Sequence, residues 1–251
     1  MDDGLASLSD GVCDSNCEEC YRDVSDCPIE VNNRFNYTGE FYLLIREEAY
    51  ESSSQLEEIV EYITTHGRTP DVTKTDDFGN TALMLASANG CSSTIVELLL
   101  LNADINIVNY ENKTALHLAA ERRQESACAE LLKFKNRIKN IDSVNEDGHT
   151  ALLDAVLSGN STIVKMFFET STDLNFQDLK GMNALMHATR NGYYDVIVKL
   201  LTQELEMDLI SNNGDTALMM AIEVVEDDII QLLVEAGADM TYIQNSEGET
   251  A

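Results

Sequence analysis

The chain has 251 residues, of which 44% are apolar and only two are proline, so it is neither a low-complexity nor a collagen-like sequence. Sixteen basic and 45 acidic side chains give a net charge of −29. This charge argues against nonspecific binding to nucleic acid or to an anionic membrane, because both need concentrated Lys and Arg. The first ten residues hold no apolar run, and the longest run, residues 95–101, is too short to cross a bilayer.

Residues 1–36 form an acidic head that contains four of the six cysteines. These are Cys13, Cys17, Cys20 and Cys27, with the spacing C-x3-C-x2-C-x6-C. Four thiolates can hold zinc in a tetrahedral site, but the two-residue spacing of a zinc knuckle occurs once and no histidine lies nearby in the sequence. We favour a disordered acidic tail with incidental thiols, and a zinc site is the alternative.

Residues 37–75 predict a pair of helices with weaker signals than those that follow. Residues 41–45 (FYLLI) begin the first helix, and the apolar spacing from Leu56 to Ile63 predicts the second. His66-Gly67 then ends it, because glycine readily adopts the left-handed conformation found after helices.

From residue 74 onwards the sequence repeats with a period near 33. Thr-Ala-Leu begins at Thr81, Thr114, Thr150 and Thr216, with Asn183 replacing the threonine in the fourth copy and a final Thr-Ala at Thr250. The spacings are 33, 36, 33, 33 and 34 residues. Two positions earlier stands a glycine, or Asn112 in the second copy, and both residue types tolerate positive φ.

Each copy predicts the order turn, helix, turn, helix. In the first copy Thr81 caps a helix rich in small residues that ends at Asn89-Gly90, and an apolar stripe from Ile95 to Leu99 marks a second helix. Such a pair cannot bury its apolar face alone, so the copies must stack. The predicted fold is therefore an all-α solenoid of stacked helix-turn-helix units joined by β-turn or hairpin loops.

This pattern resembles the ankyrin repeat. Residues 76–86 (DDFGNTALMLA) resemble its D-x-x-G-x-T-P-L-H-L-A opening, and residues 234–239 (VEAGAD) resemble its L-x-x-G-A-D ending. The resemblance places repeats near residues 76, 109, 145, 178 and 211, a truncated sixth from 245, and a divergent first repeat at 37–75, in an ankyrin-repeat domain of residues 37–251. Because the sequence stops where another helix pair should begin, we expect a fragment of a longer array or a truncated gene product.

Two further features stand out within the repeats. Residues 133–139 place four basic side chains in seven, where the period lengthens to 36, and predict a solvated loop. The alternative is a docking site for an acidic partner or for the acidic head. Among the histidines, His117 occupies the family's histidine position and is expected to join neighbouring turns, His187 to pack, and His66 and His149 to be solvated.

No phosphate-binding or catalytic motif is present, so we expect a non-catalytic scaffold or adaptor without a cofactor. The resemblance implies that an acidic concave groove binds a protein partner, which basic residues would complement. The alternative is a regulatory or targeting fragment of a larger signalling enzyme, such as a kinase or ubiquitin ligase, whose catalytic part lies outside this chain. We expect a cytoplasmic location, with the nucleus as the alternative, and no nucleic-acid or membrane partner; the oligomeric state stays open.

The resemblance also implies contact positions between the pattern residues. Carried onto this sequence, they are Phe78, Asn80, Tyr110, Lys113, Glu121, Arg122, His149, Leu157, Leu179, Met182, Arg190, Asn191, Tyr193, Asn213, Asp215 and Glu223. Large apolar and aromatic residues at turn tips are the kind that anchor a protein interface.

Overall fold

The computed structural model describes residues 72–239, and within that range the chain forms ten α-helices in five consecutive pairs. The pairs are α1 (Ala82–Asn89) with α2 (Ser92–Leu100), α3 (Ala115–Glu121) with α4 (Glu125–Lys133), α5 (Ala151–Leu157) with α6 (Ser161–Phe167), α7 (Ala184–Arg190) with α8 (Tyr194–Leu200), and α9 (Ala217–Glu223) with α10 (Asp227–Glu235). One isolated antiparallel bridge joins Thr75 to Thr81. The predicted all-α fold is confirmed, whereas the predictions for residues 1–71 and from 245 onwards lie outside the described residues.

The first helix of every pair begins at the predicted cap. Thr81 has extended backbone angles, φ −78° and ψ 166°, and its hydroxyl accepts a hydrogen bond from the Met84 N–H at 3.3 Å. The same cap recurs at Thr114, Thr150, Asn183 and Thr216. Each cap satisfies a backbone donor that the helix leaves free and contributes about 1 kcal/mol.

The turns before these caps need residues that tolerate positive φ. Gly148 has φ +78°, and a Cβ atom on it would lie 2.5 Å from Leu179 Cγ in the next repeat. Asn112 takes the corresponding conformation with φ 56° in the second copy. Both backbone angle and close approach therefore explain the recurring glycine and its asparagine replacement.

The helices form two parallel rows that enclose one core. In the first row α1 packs on α3, α3 on α5, α5 on α7 and α7 on α9; in the second row α2, α4, α6, α8 and α10 pack in the same sequence. Alanines such as Ala86 and Ala119 let the first helices approach closely, and the large side chains of Leu131 in α4 and Phe167 in α6 are fully buried in the core. The apolar surface of each pair is thus covered by its neighbours, as the sequence predicts. Within residues 72–239 no helix combines the length and apolar character that crossing a bilayer requires.

Lys133, Lys135 and Lys139 of the basic segment 133–139 are exposed, as the predicted solvated loop requires, but Arg137 departs from that prediction. The segment contains a 3-10 helix, Lys135–Arg137, from which the half-buried Arg137 reaches back to the preceding repeat. The guanidinium donates to the carbonyl oxygens of Leu99 at 2.7 Å and Ala103 at 2.6 Å. Asn106 completes the contact by donating to the Arg137 carbonyl at 2.9 Å. The insertion therefore braces two repeats, and Arg137 is a structural residue.

Candidate partner-binding surface

The turns that precede the first helices form a continuous row, here called the tip row (residues 76–80, 109–113, 145–149, 178–182 and 211–215). Backbone hydrogen bonds join neighbouring tips: Tyr110 N–H donates to Phe78 O at 3.1 Å, and Glu146 N–H donates to Glu111 O at 3.0 Å. Asn212 N–H donates likewise to the Lys180 carbonyl at 2.9 Å. Three of the four junctions between neighbouring tips are thus fixed by a backbone hydrogen bond.

Each tip is also held from within by the side chain of its first residue. Asp76 Oδ1 accepts from the N–H of Phe78 at 2.9 Å and of Asn80 at 2.7 Å. Asn109, Asn145, Asp178 and Ser211 hold their own turns through the same pair of backbone donors. A rigid tip loses little entropy when a partner binds it.

Three apolar side chains project from this rigid row into solvent. Phe78 is 65% exposed, and Tyr110 and Leu179 are each 71% exposed. Tyr110 lies over Gly79, where an added Cβ would be 2.9 Å from its ring, and Leu179 lies over Gly148 in the same way. Their position is fixed by the neighbouring turn while most of their apolar surface stays open to a partner.

The structure divides the sixteen predicted contact residues by exposure. Nine are exposed: Phe78, Tyr110, Glu121, Arg122, Leu179, Arg190, Asn191, Asn213 and Glu223. Six are half-buried: Asn80, Lys113, His149, Leu157, Tyr193 and Asp215. Met182 is only 3% exposed and packs in the core, because its apolar side chain turns inward where the other repeats carry polar residues. Met182 therefore leaves the set of candidate contact residues.

Lys113, the last residue of the second tip, lies between two acidic side chains. Its ammonium group is 2.9 Å from Glu111 and 3.0 Å from Glu121. Burial opposes the charge, but hydrogen bonds from Lys113 to these two carboxylates outweigh it and raise the lysine pKa. The lysine charge is thus largely compensated within the protein.

At the far end of the first helices, the aromatic side chain of Tyr193 bridges two repeats. Its hydroxyl donates to the Leu157 carbonyl at 3.3 Å, and its ring lies beside Gly159. Asn191 donates to the carbonyl of His187 at 2.8 Å. Tyr193 and Asn191 therefore support the fold as well as bordering the predicted surface.

His117 joins neighbouring repeats as predicted. The side chain is fully buried, its Nδ1 lies 2.7 Å from the Thr114 hydroxyl, and its Nε2 lies 3.0 Å from Ser143 O and 3.3 Å from His149 O. Burial lowers the His117 pKa, so the ring is neutral at neutral pH. In the first repeat Met84 replaces the histidine, and its sulfur accepts from the capping residue's N–H instead.

A buried cluster of histidine and aspartate lies between the third and fourth repeats, and the sequence did not predict it. His187 Nε2 is 2.7 Å from Asp178 Oδ2, and His149 Nε2 is 3.5 Å from the same oxygen. On its other side His149 Nδ1 is 3.7 Å from Asp154. The Asp154 carboxylate also accepts a hydrogen bond from Asn145 Nδ2 at 3.5 Å. The His149 side chain is only 16% exposed, so the prediction that it is solvated was wrong.

The electrostatics of this His–Asp cluster (His149, Asp154, Asp178 and His187) favour a charged Asp178 and shift the pKa values of the two imidazoles in opposite directions. Burial opposes a charge on Asp178, but the N–H of Met182 and the ring of His187 outweigh it and lower the Asp178 pKa. Burial lowers the pKa of His187, whereas the adjacent Asp154 raises the pKa of His149. The two histidines therefore titrate in different ranges.

One sequence signal could have revealed the cluster. Four residues after each cap the other repeats carry Leu85, Leu118 and Met220, whereas the third and fourth carry Asp154 and His187. Ionisable residues at a position that is otherwise apolar indicate a buried polar contact between consecutive repeats.

Comparisons with known proteins agree with this architecture. A family model described as ankyrin repeats (3 copies) matches residues 49–140, 91–178 and 155–244. The B-cell lymphoma 3 protein homolog of Mus musculus is 26% identical over 88% of this chain and 48% of its own length. Potassium channel AKT2/3 of Arabidopsis thaliana is 28% identical over 71% of this chain and 21% of its own length. The chain thus spans less than half of either curated relative.

A solved structure shows the same fold. The crystal structure of the ankyrin repeat domain of Bcl-3, described as a unique member of the IkappaB protein family, superposes with a TM-score of 0.71. The superposition covers 83% of this chain and 90% of that chain, at 23% sequence identity.

Proposed function

Because this chain belongs to the ankyrin-repeat family, whose stacked helix pairs serve protein–protein interaction, we propose that it is a non-catalytic scaffold or adaptor. The proposed contact surface is the tip row together with the exposed side of the first helices. The observation that carries this proposal is the placement of three exposed apolar side chains, Phe78, Tyr110 and Leu179, on hydrogen-bonded tips. Apolar anchors on rigid backbone are what a protein interface uses.

The charge of the chain favours a basic partner. Exposed Glu111, Glu121, Glu146, Asp147 and Glu223 lie on this surface together with exposed Arg122, Arg123, Lys180 and Arg190, and the whole chain carries −29. Opposite charge on a partner speeds encounter and fixes its orientation more than it raises affinity. We therefore propose a partner with a basic segment that borders an apolar patch.

The proposal includes a cytoplasmic or nuclear location and no catalytic cofactor. A role as the regulatory part of a longer signalling enzyme stays the alternative. The matches cover only 21% of a potassium channel and 6% of human neurogenic locus notch homolog protein 1, so a similar segment occurs within longer proteins. In both versions the repeats themselves bind protein and carry out no reaction.

The chain offers a matched test of the surface. The double variant Tyr110→Ala/Leu179→Ala removes one tyrosine and one leucine from the tip row, whereas Tyr194→Ala/Leu100→Ala removes the same two residue types from the second helices, where they are 47% and 63% exposed. Partners captured by the full chain are quantified by mass spectrometry against both variants. Binding of each purified candidate is then measured by calorimetry at two salt concentrations.

We expect the tip variant to weaken binding by at least about tenfold, since truncating an interface anchor commonly costs more than 1 kcal/mol. The second-helix variant should bind as the natural chain does, and affinity should fall with added salt. Equal loss in both variants, with unchanged thermal unfolding, would contradict the proposed surface.

A further inference from the structure

Within residues 72–239 one group of histidine, cysteine and acidic side chains brings three potential metal ligands together. One ring nitrogen of His149, one of His187 and a carboxylate oxygen of Asp178 all lie within 4.8 Å of one another. We propose that these three side chains bind a divalent transition-metal ion, with Zn²⁺ the best fit to two imidazoles and one carboxylate.

Two of the three ligand distances lie close to those of a tetrahedral site. Metal–ligand bonds of about 2.0–2.1 Å place tetrahedral ligand atoms about 3.3 Å apart. His149 Nε2 is already 3.5 Å from Asp178 Oδ2, and His187 Nε2, at 2.7 Å, needs to withdraw by roughly 0.6 Å. The two ring nitrogens lie within 4.8 Å of each other, so they need to approach by up to about 1.5 Å, and the proposal requires the two imidazole rings to rotate by that much.

Two supporting contacts orient the ligands. Asp178 Oδ1 accepts hydrogen bonds from the N–H groups of Lys180 at 2.7 Å and Met182 at 2.9 Å. The other oxygen, Oδ2, therefore faces the two histidine rings. Asp154 lies beside the opposite nitrogen of His149, at 3.7 Å. A carboxylate behind a histidine ligand fixes its tautomer and strengthens it as a donor, an arrangement typical of protein metal sites.

The surroundings are dry and yet open on one side. The side chains of Asp178 and His187 are 1% and 8% exposed, whereas His149, at 16%, reaches the surface of the tip row. Three protein ligands leave a fourth position, which water occupies in zinc sites of this composition. Burying ionisable groups where the other repeats carry Leu or Met is costly, and a bound cation would offset that cost.

The chain supplies variants that remove ligands while preserving the turn. Asp178→Asn keeps the side-chain oxygen that holds the tip, because Asn109 and Asn145 hold their own tips with the same two backbone bonds. His187→Leu introduces the residue that the second repeat carries at this position, Leu118. Both variants should therefore fold.

The test titrates the chelator-treated full chain with Co²⁺ and then Zn²⁺, and follows visible absorption and thermal unfolding. A control variant with serine at Cys13, Cys17, Cys20 and Cys27 removes the other candidate metal site. We expect this control to retain saturable binding of about one ion, with the visible bands of tetrahedral Co²⁺ and without thiolate charge-transfer absorption.

When they are introduced into this four-serine control variant, Asp178→Asn and His187→Leu should each weaken metal binding by more than about 100-fold, and Asp154→Leu by about 10–100-fold. Binding should also weaken on acidification, because the ligands must lose their protons. Metal affinity that is unchanged in Asp178→Asn and His187→Leu, or binding that disappears entirely with the four cysteines, would overturn the proposal.

Discussion

The brace formed by Arg137 gives a sharp test of how the repeats are coupled. Arg137→Met keeps an unbranched apolar stem but removes the two hydrogen bonds to Leu99 O and Ala103 O. A hydrogen bond from a charged donor contributes about 1.5–3 kcal/mol. Leu99 O retains a second donor, the N–H of Asn102 at 3.1 Å, and Arg137 is half-buried, so we expect a loss of about 2–3 kcal/mol rather than the full sum.

The assay is urea and thermal unfolding followed by far-ultraviolet circular dichroism, with Lys139→Met as the control. That variant makes the same change in charge two residues away, at an exposed side chain. At about 2–4 °C per kcal/mol for a domain of this size, Arg137→Met should lower the melting temperature by about 4–12 °C. Lys139→Met should change stability by less than about 0.5 kcal/mol. Equal effects in the two variants would refute the structural role of the guanidinium and leave net charge as the cause.

Three further predictions concern the core and the turns. Burial lowers the His117 pKa below its usual 6.5, so the free energy of unfolding should fall as pH decreases from about 6.5 through the folded-state pKa. Urea titrations at about pH 7.5 and 5.5 should show a smaller loss of stability on acidification in His117→Met than in the natural chain. Gly148→Ala combines positive φ with a clash at Leu179 and should cost more than about 1 kcal/mol in unfolding, whereas Gly237→Ala meets no atom within 4 Å and should show the smaller cost of φ alone. Phe167→Ala empties a fully buried site and should destabilise the chain by about 3–5 kcal/mol in the same measurement.

The features that were predictable from sequence are those fixed by neighbours along the chain. Thr81 caps its helix through a donor three residues away, and Gly148 adopts positive φ for reasons of local backbone geometry. Because these signals recur in register, the helix pairs and their stacking followed from them. The inter-repeat role of His117 was also predicted, since it follows from the position that this residue shares with the ankyrin family.

The features that were missed depend on contacts between residues that are far apart in sequence. Arg137 bonds to carbonyl groups 34 and 38 residues earlier, and no local pattern specifies which basic residue of its segment does so. Met182 turns inward although the residues at its position in other repeats are polar. His149 was assigned to solvent because its turn is exposed, but Asp154 and Asp178 come from two different repeats to enclose it. Only the packed arrangement decides which of these side chains meet.

The backbone bonds between adjacent tips have a consequence for how such an array tolerates changes in length. Tyr110, Glu146 and Asn212 use the same donor position in their turns, so an added residue in any tip would shift that register along the row. After the second helix of the second repeat, by contrast, the chain accommodates three extra residues in segment 133–139, whose Arg137 contacts the preceding repeat. Grafted peptides or affinity tags therefore belong beyond the ends of the second helices, where engineering can extend a repeat without disturbing the face offered to other molecules.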